Sequence, residues 1–284
     1  MSSWSNKAIK PRILKNDIVT NTVSNLKVLI GITTYPRNGI ITYKLLKDTV
    51  NTLFDSYKEI QNVFLHIIIV GDDYKNIEEL RYIFNEIPVK IDIYNININN
   101  ALRNKNTFKE VKWMHAVTRS LIFLFEKALE SDYDYLLISA DDEKYTNSML
   151  KTNINYIRKY NNPDFIYSMG KHMNNNIYPL YFNKSNLLLN YPEPENCIES
   201  GTFYKLQNKV FIKDVIDFRK KRWEKVNNFI EYSGTNYKDN GIKPEDAELW
   251  EYLLPKFKSK EYSSLLVPHI LIDHFTEQSI YDYL

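Results

Sequence analysis

Glycine is scarce, with seven in 284 residues. No two stand as Gly-x-Gly and none precedes a Lys-Ser or Lys-Thr pair, which excludes both a dinucleotide-binding fingerprint and a P-loop. Cysteine is scarcer still: the single Cys197 forms neither an internal disulfide nor a thiolate zinc cluster. Charge of one sign is missing too, since 37 Lys and Arg stand against 35 Asp and Glu for a net +2. The whole-chain field therefore gives no reason to expect a nucleic-acid or membrane partner. No window reaches the ~18 consecutive apolar residues of a membrane span, and the first residues lack the apolar core of a secretory signal. A soluble, cytoplasmic chain is the expectation.

What is present is ordinary globular material, 44% hydrophobic and 25% charged, in a length that suits one large α/β domain or two small ones. Residues 1–24 are polar and without sustained period, and read as an N-terminal arm. From 27 to 33 runs a short apolar stretch, Lys-Val-Leu-Ile-Gly-Ile-Thr, followed over 41–57 by Leu45, Leu46, Val50, Leu53 and Phe54 at helical spacing. The same alternation continues: strands at 64–70, 89–98 and 135–139, helices at 77–84 and 107–130. Strands alternating with helices imply a mainly parallel central sheet flanked by helices. Beyond Thr146 the pattern is less regular, with strands predicted at 165–169, 178–182 and 202–206 and helices at 213–221 and 244–257. This gives two halves of one domain, 25–145 and 146–284, the second an irregular lobe on the same sheet.

Ligands of open α/β sheets sit outside the carboxyl ends of the strands. Three polar strand ends should therefore share one rim: Thr33 to Arg37, Gly71 to Asp73, and Ser139 to Glu143. Adjacent carboxylates such as Asp141, Asp142 and Glu143 repel one another unless a cation or a donor compensates them, and hard oxygen ligands suit Mg²⁺ or Mn²⁺. Acids also favour a helix N-terminus, so capping of a following helix is the competing reading. A second acidic pair, Glu245-Asp246, follows Pro244 at a predicted helix start. A cation site plus a separate carboxylate base is the inventory for transfer to a hydroxyl. Lys112, His115 and Arg119 fall along one helical face. The basic, aromatic stretch Phe218-Arg-Lys-Lys-Arg-Trp223 reads as a solvated helix end.

The order of these pieces resembles a known family. Val28-Leu-Ile-Gly-Ile-Thr-Thr-Tyr-Pro-Arg37, then Ile67-Ile-Ile-Val-Gly-Asp-Asp73, then Tyr135-Leu-Leu-Ile-Ser-Ala-Asp-Asp142, then Glu245-Asp246, looks like a GT-A glycosyltransferase of the family-two type over most of residues 25–255. The resemblance implies a GT-A type Rossmann-like sandwich that moves a sugar from a nucleotide-sugar donor, a UDP-sugar, to a hydroxyl of a glycan or related acceptor. It implies inversion at the anomeric carbon and assistance from Mn²⁺ or Mg²⁺. On it, Thr33, Thr34, Tyr35 and Arg37 line the nucleotide, Asp72 or Asp73 meets the pyrimidine, and Arg119 meets the diphosphate. Asp141 matches the last acid of the family's D-x-D, but Ser139 replaces the first, leaving Asp142 or Glu143 to supply a second ligand. His274, preferred to His269 and followed by Ser279, joins Asp141 and Asp142 at the metal. Asp246 becomes the base, with Glu245 supporting it or exchanging roles, while Ser200, Gly201 and Trp250 lie on the acceptor side.

Two rivals share the same inventory. A sugar-nucleotide nucleotidyltransferase needs a Gly-rich phosphate loop near the first strand, which 33–39 is not. A catalytically degenerate sugar-nucleotide or glycan-binding module would explain Ser139 but has no use for a retained proton acceptor.

Overall fold

The computed structural model describes residues 25–35, 40–72, 74, 78–96, 109–172, 177–178, 199–231 and 241–274. The arm at 1–24, Arg37, Asp73, Cys197 and Ser279 lie outside them. Nine strands form one sheet: β1 (Leu26–Thr34), β2 (Val63–Asp72), β3 (Lys90–Ile96), β4 (Tyr135–Ala140), β5 (Glu143–Tyr145), β6 (Phe165–His172), β7 (Ile177–Tyr178), β8 (Thr202–Lys205) and β9 (Ser264–His274). Among the described residues six helices accompany them: α1 (Ile40–Tyr57), α2 (Glu78–Ile83), α3 (Lys109–Leu129), α4 (Met149–Lys159), α5 (Lys209–Glu231) and α6 (Glu245–Lys258). None of these is long and apolar enough to cross a membrane.

The strand order is β3-β2-β1-β4-β8-β6-β9-β5, with β7 on β6. β3, β2, β1 and β4 are mutually parallel, and β6 and β9 are parallel to each other. β8 runs antiparallel between β4 and β6, and β5 antiparallel to β9.

Burial on both faces explains the unbroken apolar runs of the central strands. Val28, Ile30 and Ile32 of β1 turn toward Leu46, Val50 and Leu53 of α1, and the same core holds Leu80 of α2 and Ile154 of α4. Leu29, Leu136 and Ile138 turn the other way, toward Leu121, Leu124 and Phe125 of α3, Val215 of α5 and Leu253 of α6. Gly31 lets α3 approach, since a Cβ there would lie 3.0 Å from Leu124 Cδ1.

The sheet must curl. Only Asp141 and Asp142 separate β4 from β5, a link of at most about 11 Å from Ala140 to Glu143. Yet β5 lies four strand spacings from β4 in the sheet order, about 19 Å if the sheet were flat. Curling brings β9, the neighbour of β5, to the carboxyl end of β4, and the candidate site forms there.

Candidate functional site

Strand register aligns the rim. Thr34 pairs with Gly71 and Thr33 with Ala140, so the ends of β1, β2 and β4 are level. Tyr74 passes a hydrogen bond to Thr34 Oγ1 (2.7 Å), and Thr34 donates to Asp141 Oδ2 (2.6 Å). Asp72 is buried at the end of β2, and Thr33 and Tyr35 are half-buried beside Thr34. Tyr43 of α1 stacks on Tyr74 with ring centroids 6.5 Å apart, which fixes the aromatic at this corner. Tyr74 was not legible as a site residue; its position two beyond Asp72 is the one signal that pointed to it.

The acids after β4 do not cap a helix, because α4 begins only at Met149. They enter β5 instead, where Glu143 pairs across the ladder with His274. His274 Nδ1 lies 2.8 Å from Glu143 Oε1. Asp142, Glu143 and His274 can each place one ligand atom within 4.8 Å of the others. The sequence grouped Asp141 with Asp142 and His274; the structure puts Glu143 in that group and gives Asp141 a bond to Thr34. Ser139 lies outside it, buried, accepting a 2.7 Å hydrogen bond from the Tyr145 hydroxyl. His269 is exposed in a bulge of β9, 3.3 Å from the Tyr156 hydroxyl of α4.

The donor set fits a divalent cation. Two carboxylates and an imidazole suit Mn²⁺ or Mg²⁺, and Glu143 Oε2 is buried with no hydrogen-bond partner among the described residues. Burial alone would depress His274, but Glu143, by charge and hydrogen bond, then Asp142 and Asp246, outweigh it and lift its pKa to about 9. A cation bound here would displace that proton.

Asp246 lies in the first turn of α6, half-buried, and close enough to His274 that each shifts the other's titration. Burial pushes its carboxyl up to about 7, against the pull of the Ala247 N–H, with the charges of Glu199 and Glu245 adding and His274 opposing. Glu245 is different. It is buried, one oxygen held by Arg219 and the other by Arg222 at 2.8 Å. Each of its two oxygens thus has an arginine partner.

Those arginines correct the reading of 218–223 as a solvated end. Lys220 and Lys221 are exposed, but Arg219 and Arg222 are buried. Trp250 is also core, 3% exposed and edge-on to Phe165 and Tyr167 at 5.3 and 4.8 Å, so no ring face is left for an acceptor. Ser200 and Gly201 are buried beside β9. Arg119 is half-buried on α3, and among the described residues it makes no ion pair.

Solved structures similar in fold include two of one protein. One is S. aureus TarS 1–349 in complex with UDP, at TM-score 0.55 and 10% identity over 90% of this chain and 62% of that one. The other is the same protein in complex with UDP-GlcNAc, at TM-score 0.51 and 11% identity over 89% and 59%. The chain thus spans about three fifths of the length of each. No family model and no curated protein matches the sequence. The fold is the GT-A-like arrangement of a curled central sheet between helices.

Proposed function

We propose that the protein is a glycosyltransferase of the family-two type that moves a sugar from a UDP-sugar to a hydroxyl of a glycan or related acceptor, with inversion. The observation that carries the reading is the Asp142, Glu143 and His274 donor set together with a separate carboxylate, Asp246, near enough to His274 for the two charges to shift each other's titration. Simple binding has no use for a carboxylate poised near neutrality; a general base does. The similarity in fold to a protein solved with UDP and with UDP-GlcNAc supports the choice of donor.

Thr33, Thr34, Tyr35 and Asp72 would border the nucleotide, with Arg37, Asp73 and Arg119 as further contacts to base or diphosphate. Asp142, Glu143 and His274 would hold Mn²⁺ or Mg²⁺, whose charge supports the departing diphosphate. Asp246 takes the proton of the acceptor hydroxyl as that oxygen forms its bond to the anomeric carbon and the bond to the diphosphate oxygen breaks. Its proton then leaves to solvent, and the carboxylate is ready again.

The test is a thermal-shift panel of UDP-, GDP- and CDP-sugars, with and without Mn²⁺, on the wild type and Asp142→Ala. A ligand at about 100 times its Kd stabilises by roughly 2.7 kcal/mol. Stabilisation by UDP-sugars that needs Mn²⁺ and vanishes in Asp142→Ala supports the reading. A folded protein indifferent to every nucleotide overturns it.

A further inference from the structure

Behind the first turn of α6 lies a charged network closed off from solvent. Arg219, 0% exposed, donates from one Nη to Glu245 Oε1 and from the other to Glu199 Oε1, and its guanidinium lies over the Phe125 ring, 4.8 Å from the centroid. Arg222 sits one turn on. It pairs with Glu245 Oε2 at 2.8 Å and, through Nε, with Glu248 Oε2 at 2.9 Å. It also donates to Thr118 Oγ1 of α3 (2.5 Å) and to the Lys243 carbonyl (2.8 Å). Thr118 donates to Glu245 Oε2 and the Tyr204 hydroxyl to Glu199 Oε1, each at 2.5 Å.

Such a network is a poor device for stability, because desolvating so many charges offsets most of their attraction. It is also incomplete: neither the Arg219 Nε nor, despite its ion pair with Glu248, the Arg222 Nε has a hydrogen-bond partner among the described residues. What a planar two-pronged donor does supply is orientation. The two acids it joins have telling neighbours. Glu245 immediately precedes Asp246, and Glu199 immediately precedes the Ser200-Gly201 turn that opens β8.

We propose that Arg219 is a positioning residue that, by holding Glu199 and Glu245 in one guanidinium fork, fixes Asp246 relative to the Ser200-Gly201 turn and so sets the base against the bound hydroxyl. This rests on the reading of Asp246 as the base. Arg222 and Thr118 complete the grip on Glu245, so its carboxylate cannot rotate away. A displacement of about 1 Å at a reacting group costs on the order of 10²-fold in rate.

The experiment uses the full chain, the UDP-sugar that stabilises the wild type in the thermal-shift panel, and water as the acceptor hydroxyl, read as UDP release. Arg219→Lys keeps the charge and loses the fork; Glu199→Gln keeps the shape and loses one charge. Both are expected to hold UDP and Mn²⁺ within about twofold of wild-type affinity while kcat falls about 10- to 100-fold. Placed on Asp246→Asn, the same changes should cost no more than about twofold, because the group they position is already gone. Equal losses with and without Asp246, or folded variants at full rate while Asp246→Asn is slow, overturn the positioning role alone. Asp246→Asn at full rate overturns the base assignment itself. If Arg219→Lys fails to fold, the isosteric Glu199→Gln is judged by the same criteria.

Discussion

His274 stands directly across the β5–β9 ladder from Glu143, with its Nδ1 2.8 Å from Glu143 Oε1. Residues 131 positions apart are joined because the sheet curls, and the curl is imposed by the two-residue link after β4. Thr49 of α1 pins the junction from the other side, donating to the Glu143 carbonyl at 2.8 Å and accepting from the Glu143 N–H at 3.2 Å. In this candidate cation site two of the three donors, Glu143 and His274, are set by strand pairing, and Asp142 is set by the short link that precedes β5.

Removal of either partner should therefore weaken Mn²⁺ without unfolding the chain. His274→Ala and Glu143→Gln are each expected to lower Mn²⁺ affinity by at least about tenfold, the lower end for perturbing a metal site's supporting groups. Titration calorimetry with Mn²⁺ alone checks this. Asp141→Asn should do less than either, since Asp141 is hydrogen-bonded to Thr34; an Asp141 effect larger than that of His274 would contradict the grouping.

Asp246 gives the pH dependence its sign. A base must be ionised, so kcat/KM should rise with pH through about 7, and Asp246→Asn should cost about 10²- to 10⁴-fold in rate with UDP binding retained. Stability should run the other way. The folded value, about 7, exceeds the ordinary 3.8, so between them the folded chain binds more protons than the unfolded one and loses stability as pH rises. Asp246→Asn should then be more stable than wild type at a pH above the folded value, by on the order of 1 kcal/mol or more. It should gain nothing below the unfolded value. Denaturant melts at the two pH extremes check both halves.

Trp250 separates a core role from an acceptor role. Its edge-on packing against Phe165 and Tyr167 predicts that Trp250→Ala costs about 3–5 kcal/mol. Trp250→Phe, which keeps an aromatic in the cluster, should leave the KM for acceptor unchanged. A selective rise in that KM without loss of stability would return Trp250 to the acceptor site.

The first half of the fold was legible because strands buried on both faces leave continuous apolar runs, and helices over them leave a 3.6-residue stripe. The helix expected at 107–130 is Lys109–Leu129, and β1, β2 and β4 lie where the runs do. After β4 the strands expected at 165–169 and 202–206 and the helices expected at 213–221 and 244–257 fall on β6, β8, α5 and α6, but β5, α4 and β9 were not anticipated, two of them for identifiable physical reasons. β5 is three residues, Glu-Lys-Tyr, held by pairing with β9 and by Thr49 and Thr52 of α1. β9 carries Pro268 and His269 in a bulge opposite Ser168 and Met169, which breaks its alternation. In α5 the charge of Arg219 and Arg222 outweighed their position. Both continue the stripe Phe211, Ile212, Val215, Ile216, and Val226 follows; the buried partners of Arg219, Glu199 and Glu245, lie 20 and 26 residues from it. Helical spacing alone marks them as inward-facing.

Gly201 ties a left-handed backbone position to the candidate cation site. Its φ is +80°, and a Cβ there would fall 2.0 Å from Ile272 Cδ1. Ile272 is two residues before His274 on β9, hence on the same face of the strand. Gly201→Ala should therefore cost about 1–2 kcal/mol for the left-handed backbone and a further ~1–3 kcal/mol for the overlap. Ile272→Val removes the overlapped methyl at about 0.5–1.5 kcal/mol by itself. Together the two should cost less than their sum by about 1 kcal/mol or more, measured by denaturant unfolding. The same pair should show the link to function: the overlap pushes Ile272, and His274 with it, so Gly201→Ala weakens Mn²⁺ binding and Ile272→Val in the same chain restores part of it. Additive destabilisation with unchanged Mn²⁺ affinity would mean that β9 yields at Ile272 without moving His274.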